Sequence, residues 1–106
     1  MSSHGALLSR TRPQAVVELT GDLDVAAVAA VHVQMLACDL PVGGQLVLDL
    51  RRLSFMDSTG IRLILQAREH ARMHGAGFVV VRGPENVMRV LELVGLDDQL
   101  DLVDPD

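Results

Sequence analysis

Residues 53–62 read Leu-Ser-Phe-Met-Asp-Ser-Thr-Gly-Ile-Arg and follow Gln45–Leu50, Gln-Leu-Val-Leu-Asp-Leu. The first of these runs ends one kind of structure and begins another. Gln45–Leu50 is apolar apart from its first residue and Asp49, as expected of a strand buried on both faces. After the polar stop at Asp57-Ser58-Thr59-Gly60, apolar residues recur at helical spacing through His74. Arg51–Asp57 reads as the crossing between the two. Gly75–Gly77 then closes the helix, glycine being suited to the left-handed residue that such ends favour.

Working outward, the same alternation recurs. Ala15–Thr20 is rich in β-branched residues and stops at Gly21-Asp22, a strand followed by a turn. Asp24 is placed to cap a helix over Val25–Leu40, and Pro41–Gly44 turns into the next strand. Phe78–Val81 is a strand, Arg82-Gly83-Pro84 a turn, and Glu85–Val94 a helix with proline at its first position. A short final strand is expected within Leu100–Val103, and Ala6–Leu8 is a candidate edge strand. Strands alternating with helices predict an α/β layer with a mixed, mostly parallel sheet of 4–5 strands. The turns at Gly21–Asp24, Asp57–Gly60 and Arg82–Pro84 all follow strands, so they are expected to gather at one sheet edge, where open α/β sheets do their work.

The helix over Val25–Leu40 is unusual. Between Val25 and Ala37 only His32 and Gln34 are polar. Two explanations stay open: an alanine-rich face tolerated in water, or a helix covered on a second side by a partner. In the next helix Ile61, Ile64 and Leu65 share a side, while Arg62, Gln66, Glu69 and His70 are placed to face water.

Composition narrows the function. A chain of 106 residues is one domain's worth. All nine basic residues are arginines, scattered against fourteen acidic ones, for a formal charge of −5. That balance disfavours direct nucleic-acid binding. The single cysteine, Cys38, reads as a small core residue. No secretory leader is read at the start and no apolar run is long enough to span a membrane, so the expected location is cytoplasmic. Without lysine there is no Walker loop, and neither Cys-x-x-Cys nor Gly-x-Ser-x-Gly occurs. His70 and His74 have metal-binding spacing, but with no third ligand in view they read as two exposed histidines near a helix end, and no metal or other cofactor is expected.

Asp57-Ser58-Thr59-Gly60 remains. A cap explains one polar residue well and three successive small or polar ones less well. A phosphate on Ser58 would meet the positive helix end and its free N–H groups. On residue chemistry alone, cap and phosphate site both stand.

Several segments, taken in order, resemble the STAS domains of the anti-sigma factor antagonist type. Gly21-Asp22-Leu23-Asp24 is similar to that family's Gly-Glu-Leu-Asp turn. Leu46–Leu50 followed by Leu53–Gly60 is similar to its phosphorylation-site segment, and Val94-Gly95-Leu96 to the end of its penultimate helix. The resemblance covers residues 15–103 and implies one STAS domain over 1–106, without a clear extra C-terminal helix. It implies a non-enzymatic switch. The unmodified protein would bind an anti-sigma factor that is also a serine kinase, freeing the sigma factor. Phosphorylation of Ser58 would release the partner, and a phosphatase would reset the switch. Asp24, Asp57, Thr59, Gly60, Ile61 and Arg62 would lie in the docking surface. Where the family often has glycine at position 62, this chain has arginine. A STAS subunit of a membrane-transport complex of the ABC type is the alternative task. An enzyme is least favoured, since no histidine lies near Ser58 in sequence to serve as its base.

Overall fold

The computed structural model describes residues 14–37 and 40–105. Its first strand, β1 (Gln14–Leu23), leads through Asp24 into α1 (Val25–Ala37), and β2 (Gln45–Met56) into α2 (Ser58–Met73). Then come β3 (Gly77–Val81), α3 (Glu85–Leu93) and β4 (Leu102–Val103). The strands form a four-stranded sheet in the order β1-β2-β3-β4, and every pair is parallel. The expected α/β layer is therefore present, with an entirely parallel sheet among the described residues. The candidate strand at Ala6–Leu8 and Cys38 lie outside those residues.

Sequential strand order means that each crossover helix steps across the sheet in the same direction. Helices joined by crossovers of one hand then stack on one face. The core agrees: Met35 of α1, Leu63, Ile64, Ala67 and Ala71 of α2, and Val87, Met88 and Leu91 of α3 share one apolar cluster. The sheet contributes Val17, Leu19 and Leu23 from β1, with Leu46, Leu48 and Leu50 from β2. Intervening residues point to the other face, where Val47, Val79, Val81 and Val103 form a separate buried cluster. Gln45–Leu50 is buried throughout, as its composition predicts.

Two segments read as connections are strand instead. β1 continues through Gly21-Asp22 to Leu23, and β2 runs through Arg51–Met56. The reason lies in the β1–β2 register. Glu18 pairs with Asp49 but Thr20 with Arg52; Gly21 pairs with Leu53 but Asp22 with Phe55. Each shift places one extra residue on β2, as in a β-bulge. Strand alternation therefore stretches from two residues to three, and Leu50, Leu53 and Met56 all return to the helix-covered face. A three-residue repeat resembles no strand when read from the sequence alone.

The bulged region also carries the buried carboxylate. Asp49 is 3% exposed and accepts from the Arg51 backbone N–H at 3.0 Å and from Arg51 Nη2 at 2.7 Å. Burial pushes the Asp49 carboxyl up, but the Arg51 hydrogen bonds and the charges of Arg51 and Arg52 outweigh it and hold the pKa below the usual value. No helix among the described residues is long and apolar enough to cross a membrane.

Candidate functional site

Leu23 and Met56, the last residues of β1 and β2, are partners in the sheet. Asp24 and Asp57 follow them, so two carboxylates emerge side by side from adjacent strands, which run about 5 Å apart. Each caps the helix that follows it. Asp24 Oδ1 accepts from the Ala27 N–H at 2.9 Å, and Asp57 Oδ1 accepts from the Thr59 N–H at 2.9 Å. A short acceptor is wanted at both positions because the first N–H groups of a helix have no partner within it.

Ser58 is the first residue of α2 and is exposed. Thr59 is half-buried, and Gly60 is buried. A Cβ on Gly60 would lie 2.2 Å from Met56 Cγ and 3.0 Å from Leu23 Cδ2. Only glycine lets α2 start this close to the ends of β1 and β2. Ile61 packs partly buried against the core, while Arg62 returns to the surface.

Ser58, Thr59, Arg62 and Gln66 form one wall of a groove of about 380 Å³, and Val25, Val28, Ala29 and His32 of α1 form the other. The residues singled out in the sequence thus divide into three groups. Asp24 and Asp57 stand at the sheet tip as caps. Ser58, Thr59 and Arg62 line the groove. Gly60 and Ile61 turn toward the core and set the position of the others. Beside the caps, Val25 is 74% exposed and Phe55, paired with Asp22 in the sheet, is 53% exposed. Neither exposed apolar residue was singled out from the sequence. Phe55 looks like a core residue until the bulges turn it outward.

Other expectations are corrected. The turn at Arg82–Pro84 does not join the other two. Val81, the end of β3, pairs with Asp49, seven residues before Met56. Allowing for the bulges, β3 ends on the order of 15 Å short of the sheet tip, and the third turn begins there. Beyond that turn Asn86 Nδ2 donates to the Ser54 carbonyl at 2.9 Å, fastening α3 to the extended part of β2. Pro84 occupies the N-cap rather than the first helical position.

His70 is not freely exposed. It is half-buried, its Nε2 has no hydrogen-bond partner, and its ring lies 4.3 Å from that of His74. Burial, then the charges of His74 and His32, lowers the His70 pKa. Among the described residues no cluster of three or more potential ligands could hold a metal ion. Folding also brings His32 into the groove beside Ser58, which sequence separation concealed.

Comparison with known proteins places this arrangement in context. A family model described as MlaB, STAS domain, matches residues 6–104. The structure is similar to that of the anti-sigma factor antagonist SpoIIAA in its unphosphorylated form, with a TM-score of 0.73 and 24% identity, covering 92% of this chain and 84% of the other. It is also similar to the Bacillus cell fate determinant SpoIIAA in the phosphorylated form, with a TM-score of 0.67 and 22% identity, covering 92% and 86%. At these identities the solved structures speak for the fold, four parallel strands with helices against them. The family match extends over nearly the whole sequence, and the chain belongs to the STAS domain family.

Proposed function

We propose that this protein is an anti-sigma factor antagonist acting in the cytoplasm, with Ser58 as its phosphorylation switch. The observation that carries the reading is the placement of Ser58: exposed, at the first position of α2, between a capping carboxylate and an open groove. SpoIIAA, to which the fold is similar, has been solved in unphosphorylated and phosphorylated forms. In the unmodified state the tip formed by Asp24, Val25, Phe55, Asp57 and Ser58 docks on an anti-sigma factor that is also a serine kinase. The exposed apolar side chains supply contact area, and the two carboxylates supply orientation.

Phosphorylation reverses this by local electrostatics. A phosphoserine carries about −1.5 to −2 charges near neutral pH. It enters a surface already holding Asp24 and Asp57, so the partner's cationic groups, matched to two charges, meet nearly four. Introducing an unpaired charge into an interface costs about 2–5 kcal/mol, which corresponds to roughly 30- to several-thousand-fold weaker binding. No rearrangement of the fold is required. A phosphatase restores the original surface. The protein itself performs no chemistry in this scheme.

The test is co-purification of partners with the parent chain and with Ser58→Asp. A histidine-kinase-like ATPase captured by the parent and lost from Ser58→Asp is the expected result. Ser58→Ala is expected to bind and to resist ATP-dependent release. The family model is described by MlaB rather than by an antagonist, so a second reading is kept, a STAS subunit of an ABC-type transport complex. Capture of the same transporter ATPase by both proteins would establish that reading and remove the first.

A further inference from the structure

Arg62 is left over from the scheme above, and the groove gives it a task. It lies four residues beyond Ser58 on α2, and side chains at this spacing are neighbours on a helix surface, with Cβ atoms about 5–6 Å apart. Both line the same groove, which His32 faces from α1. Among the described residues the Arg62 side chain takes part in no hydrogen bond or ion pair, whereas Arg51 is engaged by Asp49, Arg72 by Glu69 and Arg82 by Asp104. An uncommitted guanidinium thus stands within reach of the modifiable hydroxyl. Gln66, one turn further along, adds an amide donor to the same wall.

We propose that Arg62 is an internal receptor for the phosphate on Ser58, drawing it off the sheet tip and into the groove between α1 and α2, opposite His32. This rests on the reading of Ser58 as the modified residue. Free N–H groups occur at every helix start and do not distinguish this one; the cation and the histidine in the groove walls do. A guanidinium is suited to the role because its planar fork can donate two parallel hydrogen bonds to phosphate oxygens. The order of charges is also favourable, with the anion N-terminal to the cation along the helix. Asp24 and Asp57 at the tip repel the same phosphate, so attraction from the groove and repulsion from the tip act in one direction.

Two consequences follow. The phosphorylated chain withdraws part of its new charge from the docking surface, and the phosphate becomes less accessible to a phosphatase. The modified state is therefore longer-lived than it would be with glycine or glutamine at position 62.

The test uses the full chain with phosphoserine installed at position 58 during translation, which needs no knowledge of the partner. The 31P resonance is titrated with pH in the parent, in Arg62→Gln and in Arg62→Lys. A neighbouring cation favours the dianion, so the parent midpoint should lie about 0.5–1 pH unit below that of Arg62→Gln. Arg62→Lys should fall between them, since it keeps the charge and loses the fork. His32 ring signals should shift on phosphorylation in the parent and less so in Arg62→Gln. Alkaline phosphatase, used as a partner-independent probe, should dephosphorylate Arg62→Gln several-fold faster. Arg62 is exposed, so both variants should fold. Equal midpoints and equal dephosphorylation rates in parent and Arg62→Gln overturn the proposal, even if Ser58→Asp abolishes partner binding. Conversely, a phosphorylated chain that still binds its partner removes the switch reading while leaving this measurement intact.

Discussion

α1 and α2 flank one groove and rest on one face of one sheet, yet they are built on opposite plans. α2 buries Gly60, Leu63, Ile64, Ala67 and Ala71 and turns Arg62, Gln66, Glu69 and Arg72 to water. α1 buries only Met35. It carries no charge between Val25 and Ala37, and Val25, Val33 and Leu36 are 74%, 69% and 58% exposed. The exposed surface of α1 is thus more than an alanine-rich face tolerated in water. α2 is anchored by a continuous apolar stripe, as an amphipathic helix should be. α1 is held by its Asp24 cap, by Met35, and by partial burial of Ala27, Val28 and Val31. One helix spends its apolar residues on the fold; the other leaves several of them at the surface, Val25 among them in the groove that Ser58 lines.

The sharpest way to break this contrast is to truncate one leucine from each helix. Leu63→Ala in α2 removes a fully buried side chain and should cost about 2–5 kcal/mol. Leu36→Ala in α1 should change stability by less than about 0.5 kcal/mol. Urea unfolding of both variants decides it, and similar losses would show the two helices to be equally anchored.

Next in size is Gly60→Ala. Crowding Met56 and Leu23 should cost roughly 1–3 kcal/mol, only partly offset by about 1 kcal/mol of improved helix propensity. A stabilised Gly60→Ala protein would mean that α2 can retreat from the strand ends as freely as a loosely held helix. The caps should be nearly equal. Asp24→Ala and Asp57→Ala are each expected to lose about 1 kcal/mol, and a much larger loss at Asp24 would show that α1 depends on its cap for want of a stripe.

The smallest effect concerns the histidines between the two helices. Burial and the neighbouring His74 and His32 lower the His70 pKa from its ordinary 6.5. The unfolded chain therefore binds the proton more readily than the folded one. Stability should be fully present above about pH 6.5 and decline as pH falls from there toward the folded-state pKa, then level off. His70→Gln should flatten that slope in thermal melts taken across the window. An unchanged slope would assign the pH dependence to other groups.

Much of this was legible because local chemistry and tertiary demand agreed. Gln45–Leu50 is apolar on both sides and is buried on both. Asp24 and Asp57 precede apolar runs and cap both helices. Gly60 has no side chain where a Cβ would strike Met56. Legibility failed where one element's meaning depended on another. Leu50, Leu53 and Met56 belong to one face only because β1 imposes two register shifts, so the second half of β2 read as a crossing. The Arg82–Pro84 turn was expected beside Ser58 because it follows a strand, but β3 ends opposite Asp49. His32 and Ser58 are 26 positions apart in the sequence, and nothing local to either predicts a shared groove.

By itself, then, the sequence determined the alternation of strands and helices, the capped junction at Asp57-Ser58, and the suitability of Ser58 for a phosphate. Those properties arise from neighbours in the chain: apolar periodicity, side-chain acceptors at helix starts, and a residue small enough for close approach. Tertiary structure alone decided that Phe55 is turned outward, and that Arg62 and His32 face one another across a groove beside Ser58. These are consequences of strand register and of how one helix lies against another, and they come into being only when distant parts of the chain are packed together.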